Sequence, residues 1–271
     1  MKTQQLVQKS TRKIWHKWSI AFKITPLVVL VAVIKFLAHK YGYEPMELNA
    51  LFTSLVAGTI FLLGFLISGV LSDYKESEKL PSELAASIKT LYDDAYTILK
   101  TKNLESAREF MHYQKALVAS LTDWFYKKER TKVLLEKISK MNEYFIQFDN
   151  QGVQANYIIK LKNEQNSLRK MILRIDTIRA TNFVGSAYAI VEAMGFLICV
   201  GLIVIKIEPF YASLFFTLLV TFLISYMFIL IKDLDNPFDY ASKGEGGTEV
   251  SLKPIHDLEL FFEEIIENNA D

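Results

Sequence analysis

Residues 48–71 run for 24 positions without a charged side chain, and residues 209–231 run for 23. A helix of that length crosses the ~30 Å hydrocarbon core of a bilayer. Backbone polar groups in lipid must be satisfied within the segment, so such stretches fold as membrane helices. A third stretch, residues 183–205, is interrupted only by Glu192. The turn Lys206, Ile207, Glu208 then joins it to the fourth as a tight hairpin. A first span over residues 19–38 is weaker, because it holds Lys23, Pro26 and Lys35. Its Ile, Leu, Val and Phe residues contribute roughly −3 to −6 kcal/mol to insertion, against about +3 for a central lysine. Lys35 sits near one end, where its stem can snorkel toward the interface. A cleaved signal peptide fits this span poorly. The charged preamble is long, and no small-residue cleavage site precedes the next span.

Orientation follows from the flanking cations. Lys2, Lys9, Arg12, Lys13 and Lys17 lie in the first 17 residues without an acid, whereas the 41–47 loop has no Lys or Arg and the 206–208 turn has one. Cytoplasmic loops carry this excess, so both termini are expected in the cytoplasm. The organisation expected is a basic arm (1–18), membrane helices one and two (19–71), a cytoplasmic helical domain (72–182), a membrane hairpin (183–231) and an acidic tail (232–271). That tail holds three Lys against eleven Asp and Glu. No Pro lies between Pro81 and Pro209, and Gly152 is the one Gly between Gly69 and Gly185, so the long middle segment reads as helix. Turns are expected at 101–103 and 149–152. Ile158, Leu161, Leu168, Ile172 and Ile175 stripe one helical face, and Ile255, Leu258, Phe262 and Ile266 stripe another in the tail.

Catalysis has no visible residues. His16, His39, His112 and His256 are scattered without an acidic or nucleophilic partner at useful spacing, so no triad, metal site or cofactor motif is proposed. A lone Cys199 makes no internal disulfide. The cluster Lys13-Ile-Trp-His-Lys-Trp18 is read as an interfacial anchor in membrane lipids, and no nucleic-acid partner is expected. Glu192 is expected near mid-membrane, where a carboxylate must be protonated, paired or turned to water or the protein interior. Thr217 or Thr221 of the fourth span suits its depth better than Lys35 does.

The second span carries a patterned face. Ala57, Phe61 and Phe65 follow at i, i+4 and i+8, and Ser68 and Ser72 continue the stripe. Such a face suits a pore: a ring of phenylalanines excludes water, and positive ring edges favour an anion without trapping it. It also suits helix packing, since Ser54 with Gly58 and Gly64 with Ser68 are small pairs that permit close approach.

The stretch from Phe61 to Pro81, with its Phe-x-Leu-Gly-Phe core and later Leu-Pro, resembles the second membrane helix of the bestrophins. Asp233-Leu-Asp-Asn-Pro-Phe-Asp239 resembles the Asn-Pro-Phe element that follows their last span. The resemblance implies an all-α, four-span fold with a cytoplasmic helical domain, assembled as a homo-pentamer that passes inorganic ions through an axial pore. Ala57, Phe61, Phe65 and Ser68 would line that pore, and Asp235, Asn236, Pro237 and Phe238 would form the C-terminal motif. The pattern departs from the family at two points. Ala57 is a methyl where a bulky aliphatic is expected, and Asp239-Tyr-Ala-Ser-Lys lacks the acidic run that clasps calcium in calcium-gated members. Chloride is the expected ion. A cation channel and a non-conducting membrane scaffold are the rival readings, and a bacterial inner membrane is the expected location.

Overall fold

The computed structural model describes residues 2–181, 185–240 and 248–268, and the side chains of 18–181, 185–240 and 248–265. Its helices are α1 (Lys2–Lys40), α2 (Ala50–Ser77), α3 (Leu80–Lys102), α4 (Glu105–Phe125), α5 (Thr131–Asn150), α6 (Ala155–Ala180), α7 (Gly185–Val204), α8 (Phe210–Leu234) and α9 (Lys253–Asn268). Four of them, α1, α2, α7 and α8, are long and apolar enough to cross a membrane. Among the described residues the fold is all-α apart from two two-residue strands, β1 (Met46–Glu47) and β2 (Ile205–Lys206). These pair in parallel with Met46 opposite Ile205 and Glu47 opposite Lys206. Apolarity marks the spans but not this pairing, which needs connections far apart in sequence to meet.

Contacts divide the chain into two units: Met1–Tyr74 with Asn182–Asp235, and Lys75–Thr181 with Asn236–Asp271. The first is the membrane unit. Leu63, Leu66 and Val70 of α2 pack with Val191, Ile198 and Leu202 of α7 and with Ile224 and Ile231 of α8. α7 approaches α2 closely at Gly201, where an added Cβ would stand 2.3 Å from Phe52 Cε2. Among the described residues, nothing lies within 4 Å of the corresponding positions on Gly58 and Gly64. Among the described residues, therefore, Gly58 and Gly64 mark no close helix approach, and Ser54 and Ser68 are exposed.

The second unit is a bundle of α3, α4, α5, α6 and α9. Amphipathic periodicity builds it: Leu84, Ile88 and Leu91 of α3, Leu161, Leu168, Ile172 and Ile175 of α6, and Phe110, Phe145 and Phe148 of α4 and α5 are all buried. Asn103, in left-handed backbone (φ 51°), ends α3, and Gly152 (φ 74°) follows α5, at the two expected turns. A third break after α4 has no Gly or Pro to announce it. Lys127 makes it, with φ 60° and its N–H donated to Trp124 O. The tail helix α9 docks through buried Ile255, Leu258 and Phe262, with Tyr92 edge-on to Phe261 and Phe262. The side chain of Ile266 lies outside the described residues.

Candidate functional site

One face of α2 is buried and the other is bare. Leu63, Leu66 and Val70 are in the core, while Ala57, Phe61, Phe65, Ser68 and Ser72 are all exposed. Phe61 and Phe65 show 74% and 70% of their surface. A helix turns about 100° per residue, so burial at i, i+3 and i+7 leaves the opposite face continuous. Two large rings one turn apart thus stand clear of the fold, followed by two hydroxyls.

Charged residues of the membrane unit sit elsewhere than the sequence suggests. Glu192 does not bond Thr217 or Thr221. Its carboxylate lies 3.7 Å from the ammonium of Lys232, in the last turn of α8. The apolar run to Ile231 conceals this, because the partner begins one residue beyond it. Thr221 Oγ1 instead faces Cys199 Sγ at 3.8 Å. At the same end of α8, Asp233 pairs with Lys23 of α1 at 3.7 Å.

Lys35 does not snorkel. Its side chain is fully buried, donating to the carbonyl oxygens of Ile205 (2.6 Å) and Ile203 (3.2 Å) and pairing with Glu44 at 2.6 Å. These carbonyls lie where α7 gives way to β2, so the lysine caps a helix C-terminus, the favoured end for a cation. The other oxygen of Glu44 meets His39 Nδ1 at 2.7 Å, and the His39 ring stacks on Phe210 at 4.0 Å. Burial tends to raise the Glu44 pKa. The hydrogen bonds and charges of Lys35 and His39 outweigh that and hold it below the usual carboxylate range. His39 therefore has an acidic partner after all, as does His256, 3.2 Å from Glu259. Sequence reasoning missed this cluster; the available signal was a lysine within the outer half of an apolar span, nine residues ahead of a glutamate in the following short loop.

The C-terminal motif falls on both units. Asp235 closes α8, its N–H donating to Ile231 O at 3.0 Å. Asn236 is exposed and Pro237 is buried; the carbonyl of Pro237 accepts the N–H of Val250 at 2.9 Å. Phe238 is fully buried, 6.2 Å from the Phe125 ring, and Tyr240 donates its hydroxyl to Val250 O at 2.6 Å. The carboxylate of Asp239 pairs with Lys127 at 2.6 Å. Beneath these rings the Arg179 guanidinium lies 4.4 Å from the Trp124 ring centre. It donates to the carbonyls of Trp124 (3.3 Å) and Phe125 (2.9 Å), two acceptors at the end of α4. R179M is expected to destabilise this unit by about 2–3 kcal/mol through lost charge-assisted bonds and ring stacking. R179K should recover little, since an ammonium cannot fork between two carbonyls while stacking. Thermal unfolding of the purified protein, read by tryptophan fluorescence, checks both.

No curated protein matches the chain in sequence. Its fold matches a crystal structure of a bacterial bestrophin homolog from Klebsiella pneumoniae, with a TM-score of 0.74 at 18% identity, over 90% of this chain and 97% of that one. A single-site variant of that homolog gives a TM-score of 0.75 at 17% identity, over 91% and 98%. A family model described as the bestrophin-like domain matches residues 20–241. With most of its length under that model and four apolar helices in its fold, the chain is an integral membrane protein that belongs to the bestrophin-like family.

Proposed function

We propose that this protein is an ion channel whose copies, five around one axis, turn the bare face of α2 inward to form the pore. The observation that carries this reading is the exposure of Phe61 and Phe65 on a helix whose opposite face is packed into the membrane unit. Rings left uncovered by their own chain form a narrow, water-poor constriction when repeated about an axis, flanked by Ala57 on one side and by Ser68 on the other. Chloride is the proposed ion, because the stripe from Ala57 to Ser72 offers positive ring edges and two hydroxyl donors but no carboxylate. Both termini and the helical bundle are placed in the cytoplasm by the five cations of the first 17 residues, with a bacterial inner membrane as host.

Two measurements test this. Purified protein in planar bilayers under asymmetric KCl should reverse near the chloride equilibrium potential. Reversal near the potassium potential would make it a cation channel. Cryo-electron microscopy should show a symmetric assembly with its narrowest radius at Phe61 or Phe65; absence of both a lumen and ion flux would leave the membrane scaffold reading.

A further inference from the structure

The membrane unit contains a second feature, unrelated to the α2 face. Between α1, α7 and α8 lies a crevice of about 430 Å³ whose walls are almost wholly apolar, formed by residues such as Val31, Gly195, Cys199, Ile203 and Phe228. It follows α7 from Glu192 to Ile203, a length of about 16 Å at ~1.5 Å per residue. That is close to half of a ~30 Å hydrocarbon core, the depth of a single leaflet. The crevice is polar at one end. Glu192 and Lys232 stand there 3.7 Å apart, too far for a good hydrogen bond, and both are more than half exposed. Lys23 and Asp233 form a second loose pair on the same helix end of α8, also at 3.7 Å.

A slot one leaflet deep, closed by helices and headed by an ammonium beside a carboxylate, is complementary to one kind of molecule in its surroundings. We propose that it holds one acyl chain of an aminophospholipid, with the lipid phosphate on Lys232 and the lipid ammonium on Glu192. A primary ammonium donates hydrogen bonds to a carboxylate, whereas the quaternary nitrogen of a choline headgroup has no N–H to give. The site therefore discriminates by headgroup while the chain supplies buried apolar area. It depends on the placement of these helices in a bilayer and is independent of whether the protein conducts.

The experiment uses the full chain reconstituted with equimolar phosphatidylethanolamine and phosphatidylcholine, then extracted into mild detergent for native mass spectrometry. One phosphatidylethanolamine per chain should be retained, severalfold over phosphatidylcholine. E192Q should bring that ratio close to one while lipid is still retained, and V200W, which puts a large ring on the crevice wall, should abolish retention. Because V200W can disturb packing, the unaltered protein is also irradiated with a phosphatidylethanolamine carrying a diazirine in its acyl chain, and the adducts are mapped by peptide. Adducts concentrated on α7 between Val191 and Ile203 support the site. Adducts spread evenly over the apolar surface, a retained lipid indifferent to headgroup, or a crevice shielded from labelling by a second copy of the chain would each overturn it.

Discussion

E44Q is expected to destabilise the membrane unit by about 3–5 kcal/mol, the cost of leaving one member of a buried ion pair without its counter-charge. Lys35 is fully buried and Glu44 is 6% exposed, so water cannot compensate for the missing partner. The two carbonyls of Ile203 and Ile205 would still bind the ammonium, but they carry no net charge to offset it. Thermal unfolding in detergent, followed by loss of the folded peak on size-exclusion chromatography, measures the effect. The control is the double variant K35M/E44M, which removes both charges and should recover much of the loss, because a buried pair can be replaced by apolar side chains of similar volume at little cost. Acid should act in the same direction as E44Q. The folded-state pKa of Glu44 is lowered from 4.5, so its contribution is present above pH 4.5 and is lost as pH falls below that. E44Q should therefore lose part of the acid sensitivity of the parent protein; an E44Q variant as stable as the parent would show that the pair contributes nothing net.

The second large effect concerns conduction. Replacing both neck rings, F61A with F65A, should widen the constriction and raise single-channel conductance severalfold, since a pore lined by methyl groups leaves room for water to accompany the ion. Neither ring is buried in its own chain, at 74% and 70% exposure, so the substitution removes no core packing. Surface changes of this kind stay within about 0.5 kcal/mol of the parent, which separates altered conduction from damaged folding. Unchanged conductance in a stable double variant would take both phenylalanines out of the ion path. F61A alone and F65A alone should each give a smaller increase if the two rings act as successive constrictions.

The spans and the helical bundle were legible because they depend on local pattern. A charge-free run of 23 or 24 residues has few alternatives to a membrane helix, and the periodic Leu and Ile of α6 state which face will be buried. The bare face of α2 could be marked from spacing alone, although spacing does not separate a face turned outward from one packed on a neighbour. The charged contacts were less legible, for a different reason. The sequence points Lys35 to the interface, because its carbonyl acceptors come from the far end of α7 and no periodicity links them. For Glu192, depth points to a threonine because Lys232 stands one residue beyond the charge-free run. The turn at Lys127 was silent because a lysine in left-handed backbone is held there by tertiary contacts, not by its own preference.

The bonds of Lys35 also bear on how this chain is made. Glu44 follows it by only nine residues, while the carbonyls of Ile203 and Ile205 lie 168 and 170 residues further along. When the first two helices emerge from the ribosome, the carboxylate is the one of these three partners already synthesised. A counter-charge for the buried cation is therefore encoded within the first hairpin itself, whereas its two carbonyl acceptors depend on α7. The contact with Glu44 is local to the first hairpin and the contacts with Ile203 and Ile205 are not, so one ammonium group ties the beginning of the membrane unit to its end.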